Sequence, residues 1–221
     1  MKKVTLLLAL ILVVSFGAAA EHKPSAGDVS LEVNFVPFST APIQLDFIKG
    51  RFFLSDNMAV RLGFLFDIAS VGNSLPDPNN INNIEKEKER IIDFGLTPGI
   101  EIHFPVGERV SPYFGAEIGF STRSYKYEYN TNFNNDRITQ TGLNGFTSIG
   151  LNLVAGADLY LYKGLYLGAE FGFGFSSTSF PDVVTTATTG GLTVTTTVVD
   201  NSSLFLFGPN TVSAIRLGWS F

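Results

Sequence analysis

The sequence predicts an all-β fold, an eight-stranded antiparallel up-and-down transmembrane β-barrel with short periplasmic turns and longer extracellular loops. Three observations lead to this fold class. Apolar residues alternate with small or polar ones through most of the chain, and the connections alternate between short and long. Beyond residue 20, no apolar run approaches the roughly 18 residues that a membrane-spanning helix needs. The 21 phenylalanines and 22 glycines must therefore be arranged by strands.

The alternation is clearest in LYLGAEFGFGF, residues 165–175. Its odd positions hold leucine, alanine and phenylalanine, whereas its even positions hold tyrosine, glycine and glutamate. Successive side chains of a strand point to opposite faces, so this segment has one apolar face and one polar or glycine face. The same pattern predicts eight strands, near residues 28–37, 43–54, 58–70, 87–104, 112–128, 144–161, 165–180 and 203–221.

The connections between these strands indicate which ends face which side of a membrane. The short ones are 55–58, 105–111 and 161–164, and the long ones are 72–86, 131–142 and 181–202. Short turns at one end and long loops at the other are the layout of outer-membrane barrels, whose short turns face the periplasm. A soluble barrel would need a charged outer face, but here the second face carries glycines and scattered charges that suit a crowded lumen.

The N-terminus and the composition narrow the class of protein. Residues 1–20 predict a cleaved signal peptide, because Lys2 and Lys3 precede an apolar run and a small-residue site precedes Glu21. Residues 21–221 then form one barrel domain. A net charge of −5 without a basic stripe argues against nucleic-acid binding, and the lack of cysteine excludes disulfides and thiol chemistry. We expect an exported outer-membrane protein of a Gram-negative cell.

Charged residues of inward parity predict a charge network inside the barrel. Eight strands leave an interior just wide enough for side chains, and charges buried there must be paired. The network, in which Arg51 depends on the register of its strand, is predicted to contain Glu32, Arg51, Arg61, Glu101, Glu117, Asp158, Glu170 and Arg216. We expect these residues to interlock as a plug; the alternative is a gate that opens a narrow pore when pairs exchange.

The segment EKEKERIIDF, residues 85–94, predicts a cationic patch at the outer rim. The outward parity of Ile92 and Phe94 extends to three basic residues, and a fourth lies on the next strand. The candidate lipopolysaccharide contacts are therefore Lys86, Lys88, Arg90 and Lys126. Lysine and arginine bind phosphates through charge-assisted hydrogen bonds. The alternative is a solvated strand end with alternating charges.

Aromatic residues near the strand ends predict girdles at the two membrane interfaces. Near the periplasmic ends these are Tyr113, Tyr160, Tyr162, Tyr166 and Trp219, and near the outer ends Tyr125, Tyr127, Tyr129 and Phe180.

The sequence offers little for catalysis. Its two histidines are His22, near the N-terminus, and His103, which is inward by parity but lies at the periplasmic end of its strand. Lipid-modifying chemistry in a small barrel needs an activated nucleophile near the outer leaflet, and two such separated histidines also disfavour a zinc site. We therefore expect no catalytic residues, no metal and no cofactor.

The chain ends in FGPNTVSAIRLGWSF, where four residues of one parity resemble the assembly signal read by the outer-membrane insertion machinery: Ile215, Leu217, Trp219 and Phe221. Together with GRFFLSDNMAVRLGF, LTPGIEIHF, SPYFGAEIGF and NLVAGADLYLYKGLYLGAEFGFGF, this ending resembles the OmpA/OmpX-like family of small eight-stranded outer-membrane barrels. The resemblance covers the barrel domain only and carries over no peptidoglycan-binding domain. It implies the fold and leaves the function open among adhesins, structural anchors and complement-evasion proteins.

The stretch VVTTATTGGLTVTTTVVD, residues 183–200, predicts a projecting β-hairpin rather than a disordered loop. Valine and threonine favour strands, and Gly190-Gly191 suits a two-residue turn with positive φ. We expect both edges of the hairpin to be unpaired, which is how extended partners are captured by strand addition.

The predicted function is that of a non-enzymatic scaffold for adhesion or envelope integrity, acting through loops and especially through residues 181–202. The alternative is a small passive pore or a transport- or secretion-associated barrel subunit. The expected partners are outer-membrane lipid and lipopolysaccharide, the insertion machinery during assembly, and an extracellular protein bound by residues 181–202.

Overall fold

The computed structural model describes residues 23–35, 43–77, 80–104, 106–131, 136–210 and 215–221. The predicted signal peptide lies outside these ranges. The strands are β1 Val29–Phe35, β2 Ile43–Ser55, β3 Met58–Asp77, β4 Asn80–His103, β5 Val110–Thr131, β6 Arg137–Thr141, β7 Phe146–Tyr162, β8 Leu165–Ser179, β9 Val183–Thr189, β10 Leu192–Val198, β11 Ser203–Asn210 and β12 Ile215–Ser220. In the described ranges, no helix is long and apolar enough to cross a membrane.

Eight strand positions close into an antiparallel barrel, which confirms the predicted fold class. The pairing runs β1–β2–β3–β4–β5–β7–β8, and the eighth position is shared by β11 and β12, which both pair with β8. Pairing of β12 with β1 closes the ring. Two backbone hydrogen bonds between Val29 and Phe221, at 3.0 and 2.9 Å, extend that seam to the last residue.

The connections on the periplasmic side are tight, as predicted. Ser55 pairs with Met58 across a two-residue turn between β2 and β3. The turn between β7 and β8 has positive φ at both Lys163 (40°) and Gly164 (82°). Positive φ at both central residues is the geometry of the type I′ hairpin turn, whose twist matches that of the flanking strands.

Alternation along the strands separates an apolar exterior from a polar interior. The exterior carries large exposed side chains on every part of the wall, including Phe64, Phe66, Leu62, Ile100, Phe114, Ile118, Phe120, Ile149, Leu153, Phe171 and Phe173. Rings on this face also contact one another across strands, as between Phe64 and Phe94 (5.9 Å between centroids). A continuous belt of this kind is the surface that a lipid-facing barrel presents.

The outer ends of the strands differ from the predicted long loops. β3, β4 and β5 are 20, 24 and 22 residues long, about twice the 9–11 residues that a strand needs to cross a membrane. Most of residues 72–86 therefore continues as paired strand instead of forming a loop. The period-two pattern weakens there because both faces of the extension meet water, which removes the apolar alternation that marks a strand in sequence.

Three further strands extend this wall. β5 pairs with β7 up to Arg123 and with β6 from Lys126, so β6 replaces β7 as its neighbour outside the barrel. β6 pairs in turn with β9, and β9 with β10. The expectation of two unpaired hairpin edges was therefore wrong for β9. The order β4-β5-β6-β9-β10 forms a sheet, called here the outer wall, that continues one side of the barrel.

Several lumen glycines are required by close side-chain packing. A Cβ at Gly156 would lie 2.4 Å from the Tyr113 hydroxyl and 2.7 Å from the carbonyl oxygen of Ala169. At Gly119, on the neighbouring strand and on the same inner face, the nearest atom to a Cβ would be 3.8 Å away, an ordinary contact. The glycine parity that marks the lumen in sequence thus reflects space occupied by aromatic rings at some positions but not at others.

We predict that Gly156→Ala destabilises the folded barrel by about 1–3 kcal/mol, because overpacking forces the Tyr113 ring and the backbone to shift. Urea titration of the purified barrel in lipid vesicles, followed by heat-modifiable migration on gels, measures the change. Gly119→Ala is the matched control and should cost nothing measurable. Equal destabilisation by both substitutions would contradict this explanation.

Candidate functional site

A cluster of charged side chains fills the periplasmic half of the barrel and is the most extensive polar site in the described part of the chain. The structure places all eight residues of the predicted network there, each 6% exposed or less. The eight residues come from eight different strands and meet because each has inward parity. This group, together with Lys49, is called here the lumen network.

Arg51 lies at the centre of the lumen network. Its guanidinium group is within 3.3 Å of Glu32, within 3.1 Å of Glu101, and in contact with Asp158. The guanidinium carbon also lies 5.1 Å from the centre of the Tyr113 ring. One arginine therefore joins carboxylates from three different strands, which is possible because its planar group has donors on several sides.

Arg61 and Arg216 extend the network to the other side of the lumen. Arg61 donates to both oxygens of Glu170, at 2.7 and 2.9 Å, and lies 2.6 Å from Glu101. It also lies 3.1 Å from Glu117. Arg216 pairs with Glu32 at 2.8 Å and with Asp158 at 3.2 Å.

Lys49 belongs to this cluster and was missed by the sequence interpretation. Its ammonium nitrogen lies 3.0 Å from Glu170 and 3.8 Å from Glu32, and the side chain is buried. Five inward carboxylates thus face four cations rather than three. The signal that could have identified Lys49 is its parity, since it lies two residues before Arg51 on the same strand.

Three of the tyrosines predicted for the periplasmic girdle lie inside the barrel instead. Tyr113, Tyr160 and Tyr166 are at most 1% exposed, and Tyr166 donates to Glu32 at 3.0 Å. The girdle prediction was wrong for these three because it used only their height along the strand. Their parity, shared with the inward glycines and carboxylates, points into the lumen. Tyr162 and Trp219 lie on the exterior.

His103 lies at the base of the lumen network in a hydrogen-bonded chain. Its Nδ1 is 3.0 Å from the Ser111 hydroxyl, and its Nε2 is 3.1 Å from a Glu101 oxygen. Serine, histidine and glutamate in this order are also the components of hydrolase triads. Here, however, Ser111 is only 4% exposed and the Glu101 carboxylate also pairs with two arginines. The hydrogen bonds from Ser111 through His103 to Glu101 therefore hold the Glu101 carboxylate in the lumen network, and they do not expose Ser111 as a nucleophile.

The physical effect of the lumen network is to occupy the barrel interior. Removing charges from water costs several kcal/mol per ion, and only multiple pairings with good geometry offset that cost. Each arginine of the lumen network approaches at least two carboxylates within 3.3 Å, and several buried atoms, including Arg51 Nε and Arg61 Nε, make no hydrogen bond to another described residue. Among the described residues, no group of three potential metal ligands is arranged to hold an ion.

A cavity of about 590 Å³ lies at the outer mouth of the barrel, above the lumen network. It is bounded by Arg123 and Tyr125 of β5 and by the segments 142–145 and 180–183. Arg123 donates to both oxygens of Asp93, at 2.7 and 2.9 Å. The two bounding segments are in close contact, since a Cβ at Gly142 would overlap the Asp182 carbonyl.

The predicted rim cations lie on the outer face of the outer wall. Lys86, Lys88, Arg90 and Lys126 are all exposed, and Arg90 is directly paired with Lys126 in the strand register. Arg137 of β6, which was not predicted, adds a fifth cation through its 3.1 Å contact with Glu128. A hydrogen bond from Lys126 (2.8 Å) and the charge of Arg137 hold the pKa of Glu128 below its usual value.

The hairpin of β9 and β10 has the glycine turn at its tip. Gly190 and Gly191 have φ of 58° and 85°. At its base, the Asp200 amide donates to Asp182 at 3.0 Å. Ser202 donates to Asp200 from its amide (2.8 Å) and its hydroxyl, which lowers the pKa of the Asp200 carboxyl.

The residues of the predicted assembly signal lie on β12 and at the chain end. Ile215 and Trp219 are exposed on the barrel exterior, and Leu217 and Phe221 are half-buried. Between them, Arg216 points into the lumen network. The same short strand therefore supplies exterior apolar contacts and an interior cation.

Comparison with known proteins identifies one family. The sequence matches the outer membrane protein β-barrel domain over residues 6–199. The comparison with curated proteins gave no match.

We predict that Arg51→Met destabilises the barrel by about 3–5 kcal/mol, because it leaves three buried carboxylates without their shared partner. The midpoint of urea unfolding in vesicles measures the loss. Arg109→Met, at an exposed arginine in the turn between β4 and β5, is the matched control and should change stability by less than about 0.5 kcal/mol. An Arg51 variant as stable as the control would show that the network does not support the fold.

Proposed function

Because the chain belongs to the outer membrane protein β-barrel domain family, we propose that it is a non-enzymatic barrel that acts as a surface scaffold for adhesion or envelope integrity. The observation that carries this proposal is the outer wall, in which β4 and β5, of 24 and 22 residues, continue beyond the barrel by roughly ten residues, or about 30 Å of strand length. We also propose that residues 1–20 are removed on export.

The lumen network favours a scaffold over the alternative of a passive pore. Arg51, Arg61 and Arg216 bridge carboxylates from opposite sides of the interior. Tyrosine rings also cover the lumen glycines Gly156 and Gly218. An eight-stranded barrel has no room for a channel beside such side chains. Conduction would require the pairs to separate, which exposes unpaired charges in the lumen.

The outer wall has the properties of a presentation surface. Its strands are held by continuous backbone pairing from β4 through β5, β6 and β9 to β10, so the barrel and not a flexible linker supports the hairpin tip. Exposed backbone and side chains at its far edge are available to other molecules. Sites on such rigid elements keep their geometry, which favours specific binding.

Absence of catalysis is part of the proposal. The Ser111–His103–Glu101 chain is the arrangement most similar to a catalytic one, and its burial argues against access by a substrate. Phospholipid hydrolysis by the purified barrel that is abolished by Ser111→Ala would overturn this part of the proposal.

We further propose that the rim cations bind lipopolysaccharide phosphates. Five cations lie on the outer face of the outer wall, and two of them, Lys126 and Arg137, contact Glu128. Each lysine or arginine near an anionic lipid surface contributes about 1 kcal/mol of attraction. Arg90 lies two residues from Ile92, where the outward apolar residues of β4 begin, so the patch adjoins the lipid-facing belt.

We predict that deletion of residues 183–199 abolishes attachment of expressing cells to surfaces while the barrel still folds. The excision joins Asp182 to Asp200, which are already in hydrogen-bond contact, so the barrel below is unstrained. Cell attachment to immobilised matrix protein and resistance to detergent measure the adhesion and envelope roles separately. Heat-modifiable migration on gels verifies the barrel.

A matched control keeps the hairpin length and replaces residues 183–189 and 192–198 by glycine and serine. It should fail as the deletion does, because the paired strands are lost. Unchanged attachment and detergent resistance in both variants would argue against the scaffold role. Steady single-channel steps from the purified wild-type barrel in planar bilayers would instead support the pore alternative.

We predict that replacing Lys86, Lys88, Arg90 and Lys126 by glutamine reduces the lipopolysaccharide that co-purifies with the barrel by about tenfold or more, since four phosphate-binding charges are lost. Mass spectrometry of the purified protein measures the bound lipid. The control replaces Lys23, Arg109 and Lys163, which lie at the periplasmic end, and should retain it. If both variants retain equal amounts of lipopolysaccharide, the rim cations do not bind it.

A further inference from the structure

We propose that the free edge of β10 pairs with the β10 edge of a second copy of this chain, joining two molecules from opposed membranes. The inference rests on the proposed surface role of residues 181–202 and names the partner of that site. It is carried by the backbone edge, the self-complementary sequence of the strand and the orientation of the outer wall.

β10 is the last strand of the sheet in the described part of the chain, with β9 on one side and no strand on the other. Its register with β9 runs without a shift through all seven residues, so no bulge twists the edge away. Residues 183–199 contain no charged residue and no proline. Natural sheet edges are usually protected by such residues or by bulges, and this edge has none of these protections.

The strand is complementary to itself in the antiparallel direction. When two β10 strands overlap over their full length, Thr195 faces Thr195 of the second copy. Thr193 then faces Thr197, and Leu192 faces Val198. On the odd-numbered face every threonine meets a threonine. On the even-numbered face the apolar end residues meet each other, and Val194 meets Thr196. An isologous interface of this kind requires only one surface patch, repeated in both copies.

The same threonine–threonine pairing is present within the hairpin, between β9 and β10. Thr186 and Thr195 are joined by a 3.2 Å hydroxyl contact, and Thr188 and Thr193 by one of 3.0 Å. A second β10 would continue the same threonine ladder by one strand. It would also cover Leu192, Val194 and Val198, which are 77%, 63% and 62% exposed.

The orientation of the outer wall decides how the two copies face each other. Antiparallel pairing of identical edges has a two-fold axis perpendicular to the sheet. Because the sheet continues the barrel wall, it stands along the membrane normal and the axis lies in the membrane plane. Rotation about that axis inverts the second barrel, so the two copies point toward each other from separate membranes.

Introduced cysteines test this register directly, because the chain has no cysteine of its own. In antiparallel pairs, Cα atoms lie about 4.5–5.5 Å apart, within the range that a disulfide spans. Thr195→Cys should therefore give a covalent dimer under mild oxidation. Two vesicle populations, one with affinity-tagged protein and one with untagged protein, are mixed, and capture of untagged chain on the tag shows that the dimer joins separate membranes.

Two controls test the register of the two β10 strands and the identity of the edge that pairs. Thr193→Cys alone should stay monomeric, whereas a mixture of Thr193→Cys with Thr197→Cys should cross-link. Thr186→Cys lies on the same face but between β6 and β10, and should not cross-link at all. Dimers of Thr186→Cys as abundant as those of Thr195→Cys, or dimers confined to one vesicle population, would overturn the proposal.

A charge variant provides a test without oxidation. Thr195→Lys places two ammonium groups opposite each other across the two-fold axis, and like charges directly opposite destabilise a strand pair. It should abolish clustering of mixed vesicles, whereas Thr186→Lys should leave it unchanged. Equal clustering by both overturns self-pairing. Loss of surface attachment on deletion of 183–199, with no Thr195 cross-link, would retain the scaffold role and reject the second copy as its partner.

Discussion

The need to fill and neutralise a narrow polar interior is the constraint on which the rest of this structure depends. Eight strands enclose a lumen only as wide as a few side chains, so any inward charge must find its partner on another strand. Arg51 meets carboxylates from three strands, and Arg61 and Arg216 continue the pairing across the interior. These contacts link β1, β2, β3, β4, β5, β7, β8 and β12 from inside, while the backbone ladders link them around the wall. Register and interior chemistry therefore support each other, because a slip by one residue would turn each of these charges toward lipid.

Most of the membrane-embedded part of the fold could be predicted because lipid and lumen impose opposite demands on alternate residues. That contrast yields both the strands and the inward set of charges, and it contains the information for Lys49 and Tyr166 as well. The height of Tyr166 along its strand predicts the girdle, whereas its parity, like that of Lys49, points into the lumen. Parity is the stronger criterion, since a strand side chain can vary its reach but not the face from which it starts.

The strands of the outer wall could not be predicted from alternation between lipid-facing and lumen-facing residues. Both faces of the outer part of β3 are exposed, so residues 72–86 have the composition of a loop although they are paired throughout most of their length. The pairing of β9 with β6 depends on contacts between segments more than forty residues apart, as in Thr188 with Arg137. Local propensity indicates that residues 183–198 form a hairpin, but it contains no information about which strand lies beside it.

Backbone pairing closes the barrel but leaves β10 as an open edge of the outer wall. Inside the membrane β12 pairs with β1 from Ser30 to Phe35, which closes the described part of the seam. Above the membrane the sheet ends at β10 in the described ranges, and the sequence there carries none of the charges that usually protect an edge. Elsewhere in the described residues, charged side chains are paired inside the lumen or lie exposed along the outer part of β4. A neutral, self-complementary strand at an exposed sheet edge is therefore better explained by a specific pairing partner, since an unprotected edge would otherwise pair indiscriminately.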